Sequence, residues 1–162
     1  MSETKYELEP VGSVQVANGE FAVLIDEDYR PALAELAGFS HINVLWWCHL
    51  VDDPRFRDMV IAEKPYKQGP DAVGIFATRS PARPNPIALS AASVLSIDTA
   101  AGRIQVAYLD AEDGSPVLDI KPYLPSVDRI RETHSPEWCA DWPDWYEDSA
   151  TFDWAAVFEN AR

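Results

Sequence analysis

Asn18-Gly19, set between the apolar runs Val11–Val16 and Phe21–Ile25, is the feature that most narrows what this chain can fold into. Two residues are enough for a tight hairpin loop, and Asn-Gly tolerates the left-handed conformations such a loop requires. The pair predicts two antiparallel strands at the start of the chain. Similar punctuation recurs downstream. Val73–Ala77 reads as a short strand and Ile87–Ile97 as a longer one. Thr99–Gly102 reads as a turn, Arg103–Leu109 as an alternating, half-buried strand, and Val117–Ile120 as another strand. His41–His49 is an almost unbroken run of apolar, β-branched and aromatic residues, which predicts a central strand buried on both faces. Many short strands with Gly and Pro between them predict a mainly β fold, a small closed or partly open barrel with short peripheral helices. One such helix is expected from Asp26-Glu27-Asp28, with Leu33, Leu36 and Ala37 as its apolar stripe and Gly38 as its stop.

Residues 52–72 carry mixed charge, Pro54, Pro65, Pro70 and Gly69, and read as a long connection with one helical turn around Phe56–Ile61. Long connections in compact proteins are often functional. The tail sets Trp138, Trp142, Trp145, Trp154 and Phe158 among acids. Ser149 or Thr151 is placed to cap a last helix carrying Trp154, Val157 and Phe158 on one face. The expected organisation is a barrel domain over residues 6–125 and an extension over 126–162 that packs on the barrel or on a dimer partner.

With 162 residues, the chain is long enough to bury a core without disulfides or metals. Hydrophobic residues at 47% exclude wholesale disorder. No window approaches the ~18 apolar residues of a membrane span. The start, Met1–Glu7, is acidic and lacks the apolar core of a signal peptide, so the expected location is cytoplasmic. Cys48 and Cys139 stand in no metal-ligand spacing, and no metal is expected. The net charge of −14 disfavours a general nucleic-acid binder. Charge is uneven, however. Residues 111–162 hold 12 acids and 4 bases, whereas residues 52–83 hold 5 acids and 6 bases.

The chemistry concentrates in two segments. Gly74–Ser90 carries Arg79 and Arg83 on a loop with Pro81, Pro84 and Pro86, and Asn85 is flanked by proline on both sides. Proline fixes its own φ and restricts the residue before it. A stiff loop loses little entropy on binding, and its arginines suit an anion or carboxylate. The alternative is a rigid turn whose arginines pair with surface acids. In the second segment, Asp110–Tyr123, Asp113-Gly114 marks a turn. Asp119 and Lys121, two apart on a strand, share a face where they can pair as ions.

These two segments resemble the signature stretches of the TsaA-like family, whose best-understood branch is the TrmO tRNA methyltransferases. Ala37-Gly38-Phe39-Ser40-His41 and the spacing from Ala17-Asn18-Gly19-Glu20 to it are similar too. The resemblance covers roughly residues 6–125. It implies a small β-barrel that binds S-adenosyl-L-methionine, forms a homodimer and methylates N6 of a threonylcarbamoyl-adenosine in tRNA. Carried over residue by residue, it assigns the cofactor to His49, Leu50, Arg79, Leu89, Tyr108, Leu109 and Asp110. It assigns Arg83, Asn85, Asp113, Asp119, Lys121 and Tyr123 to shaping the site. No catalytic base is implied.

Two departures from the family pattern are visible. The basic, proline-containing insertion after the first strand is missing, since Val11–Val16 runs straight into Asn18-Gly19, and Gly12 and Ser13 are the residues left to replace it. The residues after Tyr123 are acidic and Trp-rich, where long-type TrmO proteins carry a separate domain. Both remove surface for tRNA. Two alternatives therefore stand beside tRNA methylation: methyl transfer to a different, small acceptor, and a non-catalytic S-adenosylmethionine-binding or interaction module.

Overall fold

A computed structural model describes residues 5–159. Met1–Thr4 of the acidic start and residues 160–162 lie outside the described residues. The described residues form eight strands: β1 (Gly12–Ala17), β2 (Glu20–Ile25), β3 (His41–Trp47), β4 (Ile61–Glu63), β5 (Ala72–Gly74), β6 (Ile87–Asp98), β7 (Arg103–Val106) and β8 (Pro116–Pro122). Three single-turn helices accompany them: α1 (Pro54–Arg57), α2 (Pro125–Asp128) and α3 (Trp154–Val157). Six strands close into an antiparallel barrel in the order β1-β2-β7-β6-β3-β8, and β4 and β5 form a separate ladder. The chain divides into two compact units. One runs to Asp53 and resumes over Asn85–Arg129; the other comprises Pro54–Pro84 and the tail from Ile130.

The barrel starts from the hairpin. Ala17 pairs with Glu20, leaving Asn18 and Gly19 as the loop, with φ of +54° and +79°. Both are left-handed, as a two-residue loop matched to strand twist demands. β3 is central, paired to β6 from His41 to Trp47 and to β8 from Ile42 to Trp46. Its burial alternates, which corrects the expectation of two buried faces. Ile42, Val44 and Trp46 point into the core, while Asn43, Leu45 and Trp47 are half-exposed outside. A closed barrel has one interior, so only every second residue of a strand can fill it. Val14, Val23, Ile104 and Val117 complete the centre. Each such side chain contributes about 1.5–3 kcal/mol on burial.

Residues 26–38 depart from the expected helix. They form two 3-10 turns, Glu27–Leu33 and Leu36–Gly38. Pro31 lies inside the first turn and has no N–H for the Glu27 carbonyl, so an α-helix cannot run through it. An additional break falls at Glu35, which takes φ +65°, and the second turn ends at Gly38, where the stop was expected. Leu33 is buried and Leu36 packs against the core, as the apolar stripe implied.

In the second unit, the connection is more ordered than its composition suggested. α1 starts two residues before the expected helical turn and overlaps it at Phe56 and Arg57, and β4 pairs with β5 from Ile61↔Gly74 to Glu63↔Ala72. The strand expected at Val73–Ala77 ends at Gly74 and gives way to a 3-10 turn that buries Ile75 and leaves Phe76 82% exposed. The tail's aromatics pack around Tyr66. Trp138 stacks on it at 4.9 Å, Trp142 meets it edge-on at 5.2 Å, and Phe158 lies at 5.6 Å. Trp154 joins through Trp142 at 5.4 Å. The cap of α3 is Asp153, whose carboxylate accepts from Ala156 N at 3.2 Å, rather than Ser149 or Thr151. Those two residues belong to the preceding 3-10 turn, and the Ser149 carbonyl accepts the Trp154 indole N–H at 3.0 Å.

Candidate functional site

Register places one end of the barrel at the heart of the predicted site. β1 ends there at Ala17, β2 begins opposite it, and Phe21 pairs with Val106 at the end of β7. β3 ends there at Trp47 opposite Ile87, where β6 begins. The strand expected to reach Leu109 stops at Val106. Ala107–Ser115 instead crosses this end and turns along β1. Gly114 N donates to Val14 O and Val14 N to Ser115 O, each at 2.8 Å. The Asp113 carboxylate accepts Val16 N at 2.8 Å, which extends the β1 ladder with a side chain.

His49, Leu50, Asn85, Tyr108, Leu109, Asp110 and Asp113 all belong to this end. His49 opens a 3-10 turn, His49–Val51, just past β3. Its ring is half-buried, and Nδ1 lies 3.3 Å from the hydroxyl of Ser115, which is fully buried. Leu50 beside it is 67% exposed. Leu109 is buried in the core, so its neighbours Tyr108 and Asp110 face outward. The Tyr108 ring packs edge-on against Phe21 at 5.1 Å, and its hydroxyl donates to Asp110 at 3.4 Å. Asn85 is exposed, and its carbonyl accepts Ile87 N at 2.7 Å.

Other predicted residues of the barrel unit lie on its outer face. Leu89 pairs with Leu45 on the outer face of β6 and is 47% exposed. Leu45 in turn pairs with Asp119, and Asn43 with Lys121, on the same outer face. Asp119 and Lys121 pair as ions at 2.7 Å, and that hydrogen bond raises the lysine's pKa above its ordinary value. Tyr123 continues this row beyond β8, its N–H bonded to His41 O. Arg79 and Arg83 belong to the second unit. Arg79 is exposed. Arg83 donates to the carbonyls of Thr78 and Ser80, both at 3.4 Å, so it braces its own loop. Thr78 adds to the stiffness by donating to Ile75 O at 2.8 Å and accepting Ser80 N at 3.2 Å.

Two surface hollows of about 340 and 300 Å3 lie away from His49. One is framed by Phe39 and Leu95; the other is framed by Leu33 and Ile120 and includes Asp119. Among the described residues, no group of three or more His, Cys, Asp or Glu is placed to hold a metal, and no helix is long and apolar enough to cross a membrane. Ser115 was not singled out by sequence. A lone serine after an Asp-Gly turn carries no spacing signal.

A family model described as the tRNA-methyltransferase O N-terminal domain matches residues 4–129. The chain belongs to that family. An S-adenosyl-L-methionine-binding protein of Archaeoglobus fulgidus is 37% identical over 110 residues, covering 68% of this chain and 73% of the relative. The tRNA (adenine(37)-N6)-methyltransferase of Escherichia coli is 35% identical over 122 residues, 74% of this chain and 51% of that protein. Its counterpart in Eikenella corrodens is 45% identical over 91 residues, 56% of this chain and 51% of that protein. The chain thus spans about half the length of these two methyltransferases. A TrmO crystal structure superposes with a TM-score of 0.66 at 23% identity, over 82% of this chain and 64% of that one, which shows the shared TrmO fold.

Proposed function

We propose that this TrmO-family protein binds S-adenosyl-L-methionine at the Tyr108–Asp110 end of the barrel and methylates N6 of adenine 37 in tRNA. The observation that carries this reading is the family match over residues 4–129, with two relatives named for that reaction. The barrel end fits the cofactor's parts. The outward carboxylate of Asp110, held by the Tyr108 hydroxyl, suits ribose hydroxyls. The exposed side chain of Leu50 offers apolar surface for adenine. The Nε2 of His49 has no protein partner among the described residues, which leaves it to a ligand.

Bound S-adenosylmethionine supplies an already activated methyl group on a sulfonium. The protein's work is therefore alignment, for which orientation alone supplies a large share of the rate. Leu109 serves this by pinning the crossing segment into the core, so that Tyr108 and Asp110 hold fixed positions. The same reading takes residues 6–125 as the catalytic domain, 126–162 as an extension, a homodimer as the assembly and the cytoplasm as the location.

One observation favours a second reading, a small non-tRNA acceptor. The net charge is −14, and two of the central bases are committed internally: Lys64 to Gly69 O and Asp71, and Lys67 to Ala155 O. Calorimetric titration with S-adenosylmethionine, followed by methyl incorporation into tRNA bearing threonylcarbamoyl-adenosine, tests both. Micromolar binding with methylated tRNA is the expected result. Binding without tRNA methylation moves the acceptor to a small molecule. No binding up to millimolar cofactor overturns the methyltransferase reading.

A further inference from the structure

The buried hydroxyl of Ser115 has a role that the site residues alone do not explain. Ser115 is completely buried at the start of β8, and its backbone is committed on both sides: its N–H to Glu112 O at 3.1 Å and its carbonyl to Val14 N at 2.8 Å. Among the described residues, the only partner of its hydroxyl is His49 Nδ1, at 3.3 Å. A buried hydroxyl proton without an acceptor is costly. If Nδ1 carried the proton, the Ser115 proton would have no acceptor. If Nδ1 is the bare nitrogen, Ser115 donates to it and both groups are satisfied. The proton of the neutral imidazole then sits on Nε2. Nε2 has no protein partner among the described residues.

We infer that Ser115 is a positioning residue. It fixes the His49 ring and its tautomer, so that His49 presents an N–H donor, and not a basic nitrogen, to the bound cofactor. The inference rests on the proposed cofactor site and deepens it. The ligand group that His49 meets is therefore a hydrogen-bond acceptor, such as a carboxylate or hydroxyl oxygen of S-adenosylmethionine. Proton removal from the methyl acceptor falls to some other group or to solvent.

Nitrogen-15 NMR of the imidazole in the full-length protein, without cofactor and above the histidine titration range, reads the tautomer directly. The wild-type ring is expected to show Nδ1 unprotonated and Nε2 protonated. Ser115→Ala is expected to shift the Nδ1 resonance toward the protonated side as ring and tautomer lose their anchor. The same variant should bind S-adenosylmethionine about three- to tenfold more weakly, the equivalent of one lost hydrogen bond. Ser115→Thr, which keeps the hydroxyl, should restore the wild-type spectrum. A protonated Nδ1 in the wild-type protein overturns the inference, as do ring resonances unchanged in Ser115→Ala. If the wild-type protein binds no cofactor, the proposed function falls, while the spectrum still decides what Ser115 does to His49.

Discussion

Replacing Gly12 by alanine tests the closure of the barrel. Gly12 is paired on both sides, to Ile25 of β2 and Val117 of β8. A methyl group there would run into the Leu24 carbonyl oxygen and would sit 3.0 Å from both the Leu24 carbonyl carbon and Ile25 Cα. All three are backbone atoms, so no side chain can rotate away. Carbon atoms prefer separations of about 3.5–4.0 Å, so a strand must move by roughly half an ångström or more. Such overpacking costs about 1–3 kcal/mol. Loosening one or two ladder bonds beside Gly12 adds about 1 kcal/mol each. Gly12→Ala should therefore destabilise the protein by about 2–5 kcal/mol, read as a lower urea midpoint by far-ultraviolet circular dichroism. Gly114→Ala is the matched control. Gly114 has φ +76° but open space where the methyl would go. Its cost is conformational alone, about 1–2 kcal/mol. A Gly12→Ala midpoint no lower than that of Gly114→Ala would refute the close approach of β1 and β2.

Three further outcomes are expected. Asp113→Ala removes the acceptor of Val16 N, so it should cost about 1 kcal/mol and speed amide exchange at Val16; unchanged protection there contradicts the side-chain extension of β1. Arg79→Ala should weaken S-adenosylmethionine binding by about 1.5–3 kcal/mol if the arginine holds the methionine carboxylate, and equal affinity in a folded variant removes it from the site. The Tyr66 phenol is raised above 10.0, first by burial and then by the charge that Cys139 carries when ionised. With the folded pKa raised, the unfolded chain ionises first. The associated stability is present below pH 10 and lost as pH climbs from there through the folded value. Tyr66→Phe should therefore lose less stability than wild type as pH climbs past 10.0 in urea titrations. Parallel losses in the two proteins would show that Tyr66 is not protected.

The hairpin was legible because Asn18-Gly19 leaves a tight turn few alternatives. The central position of β3 was legible because nine consecutive residues from His41 carry strand character. Its one-sided burial was not. Apolar residues also occupy the outer face of the barrel, where Leu45 and Trp47 are only half covered, so composition hid the alternation. Pro31 is the residue that forbids an α-helix over 26–38, and the expectation rested instead on the apolar stripe of Leu33 and Leu36. β4 escaped notice because its three residues give no period and the prolines after it read as a loop, whereas β5 was expected over Val73–Ala77 but ends at Gly74. At the site, motif likeness drew attention to His49, Tyr108 and Asp110, which the fold gathers at one end. The same likeness drew in Asp119 and Lys121, which the alternation of β8 turns to the outer face and which satisfy one another. Ser115 stayed hidden because its significance lies in what its hydroxyl meets across 66 residues of chain.

The chain leaves the barrel after β3 and returns before β6 through a single doorway. Trp47 and Ile87 are paired, and Cys48 N bonds Pro86 O at 2.8 Å. Everything from Pro54 to Pro84 is an excursion whose two ends are already tied together. Doubling the length of such a loop costs only about 0.6 kcal/mol in closure entropy. Descent with modification can therefore rewrite this stretch, lengthening it, shortening it or changing its charge, while every register of the barrel is inherited intact.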